Sequence, residues 1–124
     1  MKWIKAPEEL KSLIENAMEG IECEKRPMFG YPCYFINRNM FIGLFQDQLF
    51  IRLSDSQLSS LKLKPGLALI ANLEPMPGRP MKDYFVLPKE IYTSSRIFKE
   101  IIRTSAEHTR QLAPKAKKSN KKQK

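Results

Sequence analysis

The chain has 124 residues, 42% of them hydrophobic and 10% aromatic, with a formal net charge of +9. That length bounds the fold to one domain with a single core, burying roughly two thirds of the unfolded surface, and the composition excludes a disordered or fibrous chain. The charge is unevenly placed: six of the 22 basic residues (Lys115, Lys117, Lys118, Lys121, Lys122 and Lys124) lie after Pro114 with no acid among them, so the remainder is nearly balanced, 16 basic against 13 acidic.

The N-terminal residues Met1-Lys2-Trp3-Ile4-Lys5 lack the apolar run of a secretory signal. No apolar stretch approaches the roughly 18 residues of a membrane span. The chain is therefore expected in the cytoplasm, without a membrane partner and with Cys23 and Cys33 as reduced thiols.

The first element is a helix over 7–20. Leu10, Leu13, Ile14, Ala17, Met18 and Ile21 recur at helical spacing. Pro7 suits a first turn, Glu8 and Glu9 complement the helix dipole, and Gly20 is a stop. Strands follow over 29–36, 40–45 and 49–53. The first is made irregular by Gly30 and Pro32, and Asn37-Arg38-Asn39 forms the turn after it. These three make an antiparallel meander.

Ser54 with Gln57 three residues later is a capping box, which starts a short helix that buries Leu58 and Leu61. A fourth strand is expected over 67–73. Pro77-Gly78 supplies a type II turn, and a fifth strand covers 82–87. The last helix covers 94–112, with Ile97, Phe98, Ile101, Ile102 and Ser105 on its narrow buried stripe. The lysine-rich segment 114–124 has no apolar periodicity and is expected to be a disordered tail to a domain of 1–113.

One strand departs from the usual pattern. Simple alternation places Met40, Ile42 and Leu44 on one face and Phe41, Gly43 and Phe45 on the other, so both faces are apolar. Two readings stand side by side: cover entirely within the monomer, or cover of one face by a second subunit or partner. Phe41 and Phe45 are therefore candidate partner-binding residues.

The order of these residues resembles the TfoX N-terminal domain family. The resemblance is carried by Arg26-Pro27-Met28-Phe29-Gly30, Met40-Phe41, Leu49-Phe50-Ile51-Arg52-Leu53, Pro75-Met76-Pro77-Gly78-Arg79-Pro80-Met81, Tyr84 and Leu87-Pro88, and it covers about residues 8–113. It implies a two-layer α+β domain with an antiparallel five-stranded sheet flanked by an N-terminal, a short middle and a C-terminal helix. Members linked to competence regulation carry a second, helical domain; here the sequence after Leu112 offers lysines instead. The family supplies no catalytic residues.

The candidate chemistry is thin. His108 is the sole histidine, in a polar stretch of the last helix, and Glu107 beside it does not share its helix face. Cys23 and Cys33 lack the spacing of a zinc site, and the five glycines form no phosphate-binding loop. No metal, cofactor or catalytic residue is expected, and the chain reads as a non-enzymatic binding or regulatory module working through protein contacts, as a homodimer or with a partner. Arg26, Arg52 and Arg79 are weighed as anion or partner contacts against structural pairing with Asp55 or Asp83; Arg52 and Arg79 join the candidate partner-binding set. The alternative function is nonspecific nucleic-acid association through the six tail lysines. The aromatics 29, 31, 34, 35, 41, 45 and 50 read as core rather than as an RNA-stacking face.

Overall fold

The computed structural model describes residues 5–28, 30–63, 70–76 and 78–112. Helix α1 (Glu8–Ala17) begins at Pro7, whose φ of −64° suits the entry and whose carbonyl accepts the Leu10 and Lys11 amides. Leu10, Ile14 and Met18 turn to the core, and Gly20 at φ +85° carries the chain away.

Five strands follow: β1 (Glu24–Met28), β2 (Tyr31–Ile36), β3 (Asn39–Phe45), β4 (Gln48–Arg52) and, much later, β5 (Tyr84–Val86). They form one antiparallel sheet in the order β1-β2-β3-β4-β5. The β2–β3 hairpin closes through Asn37 and Arg38, both at positive φ (52° and 65°), as a two-residue turn matched to sheet twist requires. Helix α2 (Asp55–Lys62) starts at the capping box, with the Ser54 hydroxyl accepting the Gln57 amide and the Gln57 side chain accepting the Ser54 amide. Helices α3 (Lys89–Tyr92) and α4 (Ser95–Arg110) end the described chain.

The α+β class and the five-stranded antiparallel sheet agree with the sequence reading, but the set of strands differs. β1 has no alternation and holds Pro27, so nothing local marks it; pairing with β2, Arg26 opposite Cys33, makes it a strand. It is the exposed edge, where Lys25, Arg26 and Pro27 discourage further pairing. The strand expected over 67–73 falls partly on 67–69, outside the described residues. Its described remainder forms one bridge, Asn72 opposite Phe85, with Leu73 N–H donating to Tyr84 O and Val86 N–H to Ala71 O. α3 was not expected: four residues after Pro88 are too few to show a period.

The helices cover one sheet face. α4 lies across β2, β3 and β4, and α1 against β3. Between these layers sit Ile14, Tyr34, Phe41, Ile42, Leu44, Ile51, Phe98 and Ile102. A second, smaller core lies on the other face, where Leu73 and Met81 close over Cys33, Met40, Phe50 and Tyr84.

The alternation expected for 40–45 is broken by a β-bulge. Tyr34 faces Ile42 and Phe35 faces Met40, which leaves Phe41 as the extra residue. Phe41 therefore joins Ile42 and Leu44 under the helices, while Met40 turns to the face of Gly43. Gly43 is required there by space: a Cβ would stand 2.6 Å from Cys33 Sγ and 2.9 Å from Phe50 Cζ.

Candidate functional site

The residues proposed from sequence as a sheet-face contact do not come together. Phe41 is 0% exposed and packs in the helix-side core. The cause is the bulge, which turns it inward. Phe45 is half-buried at the end of β3, its ring edge-on to Tyr31 at 5.5 Å.

Arg52 is held by its own chain. It lies on the face opposite the helices, paired across the ladder with Tyr84. Its Nη2 donates to Tyr84 Oη at 2.9 Å, its Nε to Met40 O at 3.3 Å, and its guanidinium faces Asp83 Oδ2 at 3.6 Å. The Tyr84 hydroxyl in turn donates to Met40 O at 2.8 Å. With a side-chain exposure of 16%, Arg52 has little left to offer a ligand. This is structural pairing, with Asp83 as the acid. Burial raises the Tyr84 phenol, with nearby Arg52 opposing the shift.

Arg79 sits exposed in the turn whose tip is Gly78 at φ +80°, and its amide donates to Met76 O at 2.9 Å. Pro77 and the tail lysines 115, 117, 118, 121, 122 and 124 lie outside the described residues. Arg26 is exposed on β1, 3.8 Å from Glu24 and over the Phe35 ring at 5.5 Å.

Neither thiol is activated, and only Cys33 is fully enclosed. Burial lifts Cys33 to about 11, and burial also raises the half-buried Cys23, whose Sγ lies 4.0 Å from Met18 Sδ. The Tyr34 hydroxyl nearby is buried without a hydrogen-bond partner among the described residues. His108 is half-buried on α4. Among the described residues no three His, Cys, Asp or Glu converge as a metal site, and no helix is long and apolar enough to cross a membrane.

What the structure does assemble is two grooves, one along each side of α4. Between α2 and α4 runs a groove of about 400 Å³ with Leu53, Leu61, Ile97 and Ile101 among its lining and Ser56, Ser60 and Thr104 along it. Leu63 follows Ser56 and Ser60 at i+7 and i+3, on the same side of α2, and is 86% exposed. Between the end of α1 and α4 runs a wider one, about 730 Å³, with small residues Ala17, Gly20 and Ala106 in its lining. Its α4 wall carries Arg96, Lys99, Arg103 and Arg110, with Glu100 and Glu107 beside them. The sequence reading followed the buried stripe of this helix and passed over its outer face. The signal was present in the i, i+3, i+7, i+14 spacing of those cations.

Both grooves are fixed by contacts between α4 and the sheet. Ser105, fully buried, donates its hydroxyl to Arg52 O at 2.6 Å, and Asn37 Nδ2 donates to Arg110 O at 2.8 Å.

Fold and surface together define a small two-layer α+β domain whose open clefts flank its last helix. The chain belongs to the TfoX N-terminal domain family, whose model matches residues 17–109. That match takes in all five strands and nearly all of α4. A search of curated proteins finds no match.

Proposed function

We propose that the chain is a small non-enzymatic binding module of regulatory type, of the kind used in transcription or competence control, that acts through protein contacts. The observation that carries the reading is the α2–α4 groove. Its apolar lining and polar edge, with the exposed Leu63 beyond the lining at the end of α2, form the arrangement that accepts an amphipathic segment of another protein or a second copy of the chain. Both faces of β3 are packed within the chain, which favours the helical layer over the sheet as the docking surface.

The test is light scattering of the full chain, together with capture of partners on the immobilised chain, for the wild type, Leu63→Asp and Ser60→Arg. Both substitutions fall outside the core, and far-UV circular dichroism should be unchanged. The reading expects a dimer or a recovered partner that both variants lose. A strict monomer with no partner, or binding indifferent to both substitutions, overturns it.

A second reading, nucleic-acid association through the 114–124 tail, is favoured by one specific observation: the cationic side of α4 leads in sequence into that tail.

A further inference from the structure

We infer that the outer face of α4 is a folded phosphate-binding platform for the backbone of a nucleic acid, with Arg96, Lys99, Arg103 and Arg110 as its contact residues. This deepens the second reading, because it places the site on the domain itself and not on the tail alone. It is separate from the α2–α4 groove.

Three observations support it. The first is alignment. At 100° per residue these four positions fall within an arc of about 60°, and at 1.5 Å per residue they span about 21 Å. Neighbouring cations at 96, 99 and 103 are thus about 4.5 and 6 Å apart along the axis, close enough for each to reach a different phosphate of one strand.

The second is availability. The ion pairs among the described residues are Lys11–Glu8, Arg26–Glu24 and Arg52–Asp83, so none of the four α4 cations is engaged. Glu100 and Glu107 lie about 20–40° to one side of the stripe, and Glu19 lines the same cleft. Arg96–Glu100 and Arg103–Glu107 are i,i+4 neighbours with the cation first, the weaker order, and Glu100–Arg103 and Glu107–Arg110 are i,i+3 neighbours with the acid first, yet none of these is among the ion pairs of the described residues. A phosphate offers arginine a two-pronged, charge-assisted contact in their place.

The third is continuity. After Glu107 the sequence contains no further acid, only Arg110 and the six tail lysines. The sequence from residue 108 onward therefore carries charge of one sign, following on from the cations of α4. The stripe carries no aromatic side chain, so it provides no base stacking, and binding should be indifferent to sequence.

The experiment is a titration of the full chain with a fluorescent DNA duplex and with single-stranded RNA, repeated over a series of salt concentrations. Each lost phosphate contact flattens the dependence of log K on log salt by about 0.9 for duplex DNA. The Arg96→Gln/Arg103→Gln/Arg110→Gln variant should flatten the slope by about 2–3 with its tail intact. A chain ending at Ala113 should keep salt-dependent binding, and Glu107→Gln should tighten binding several-fold. Leu63→Asp should change nothing, which separates this site from the protein-docking groove. Circular dichroism confirms that each variant is folded. The inference is overturned if the triple variant binds with wild-type affinity and slope, since the tail then acts alone, or if Glu107→Gln has no effect. It is also overturned if polyglutamate competes as well as DNA of equal charge, since the surface is then one for an acidic polypeptide.

Discussion

Replacing Gly43 by alanine is the most demanding test of the sheet's second core, because a single methyl group must enter a space already filled. The new Cβ would stand 2.6 Å from Cys33 Sγ, 2.9 Å from Phe50 Cζ and 3.1 Å from Cys33 Cβ. Contacts below 3 Å cannot persist, and Cys33 and Phe50, both 0% exposed, have no free side to move into. Overpacking of this kind costs about 1–3 kcal/mol. Alanine also restricts the unfolded chain, which returns about 0.4–1 kcal/mol. The net loss is about 1–2 kcal/mol, or a fall in Tm of about 4–10 °C for a domain of this size.

Gly43 and Cys33 form a testable pair. Cys33→Ala alone removes a buried sulfur and should lose about 1 kcal/mol or somewhat more. In the double variant the closest clash is gone and the added methyl occupies part of the vacated space. The double should therefore be more stable than the sum of the two losses by about 1 kcal/mol, within the usual range for touching residues. Urea denaturation followed by circular dichroism measures all four corners of the cycle. Gly43→Ala melting at or above the wild-type temperature, or strict additivity, would refute the account of why glycine stands there.

Three further outcomes follow from the same contacts. Tyr84→Phe removes the hydroxyl that accepts from Arg52 and donates to Met40 O; it should destabilise by about 1–3 kcal/mol, whereas Asp83→Asn, at a half-exposed partner, should change urea stability by less than about 1 kcal/mol. Ser54→Ala breaks the capping box and should cost about 1 kcal/mol by the same assay. Cys33, lifted by burial from the ordinary 9.0 to about 11, favours the folded state fully below about pH 9 and loses that contribution as pH rises through 11. Stability should accordingly fall across that window, less steeply in Cys33→Ala, and at pH 8 a thiol reagent should label Cys23 in the native protein but Cys33 only on unfolding.

The features legible in the sequence were those that short-range chemistry decides. The Leu10–Ile14–Met18 stripe identifies α1, the Ser54/Gln57 pair fixes where α2 begins, and Asn37 marks the turn between β2 and β3. What escaped was decided by partners far along the chain. β1 is a strand only because β2 pairs with it. The bulge at Phe41 depends on the register between β2 and β3, and no local pattern announces which residue will be the extra one. Asp83 could be named as a partner for Arg52 on charge alone, but Tyr84, 32 residues from Arg52, became part of that knot through the β4–β5 ladder. The candidate surface followed the same rule. Strict alternation would expose Phe41, and the α4 cations lie on the face opposite the apolar stripe that marks the helix.

Arg52 also explains how the surface of α4 can vary without disturbing the domain. Its carbonyl accepts the Ser105 hydroxyl on the helix side of the sheet, while its guanidinium binds Tyr84, Met40 O and Asp83 on the opposite side. One residue thus ties the helical layer to the small core through the thickness of the sheet. The second tie, Asn37 to Arg110 O, secures the far end of the helix. Neither tie uses the side chains of Arg96, Lys99, Arg103 or Arg110, nor those that edge the α2–α4 groove. The contacts that position α4 are therefore separate from the side chains proposed to bind. Substitutions on its outer face should alter what the domain binds with changes in stability within about ±0.5 kcal/mol, whereas loosening Arg52 should degrade both grooves together, because both are walls of the one helix it anchors.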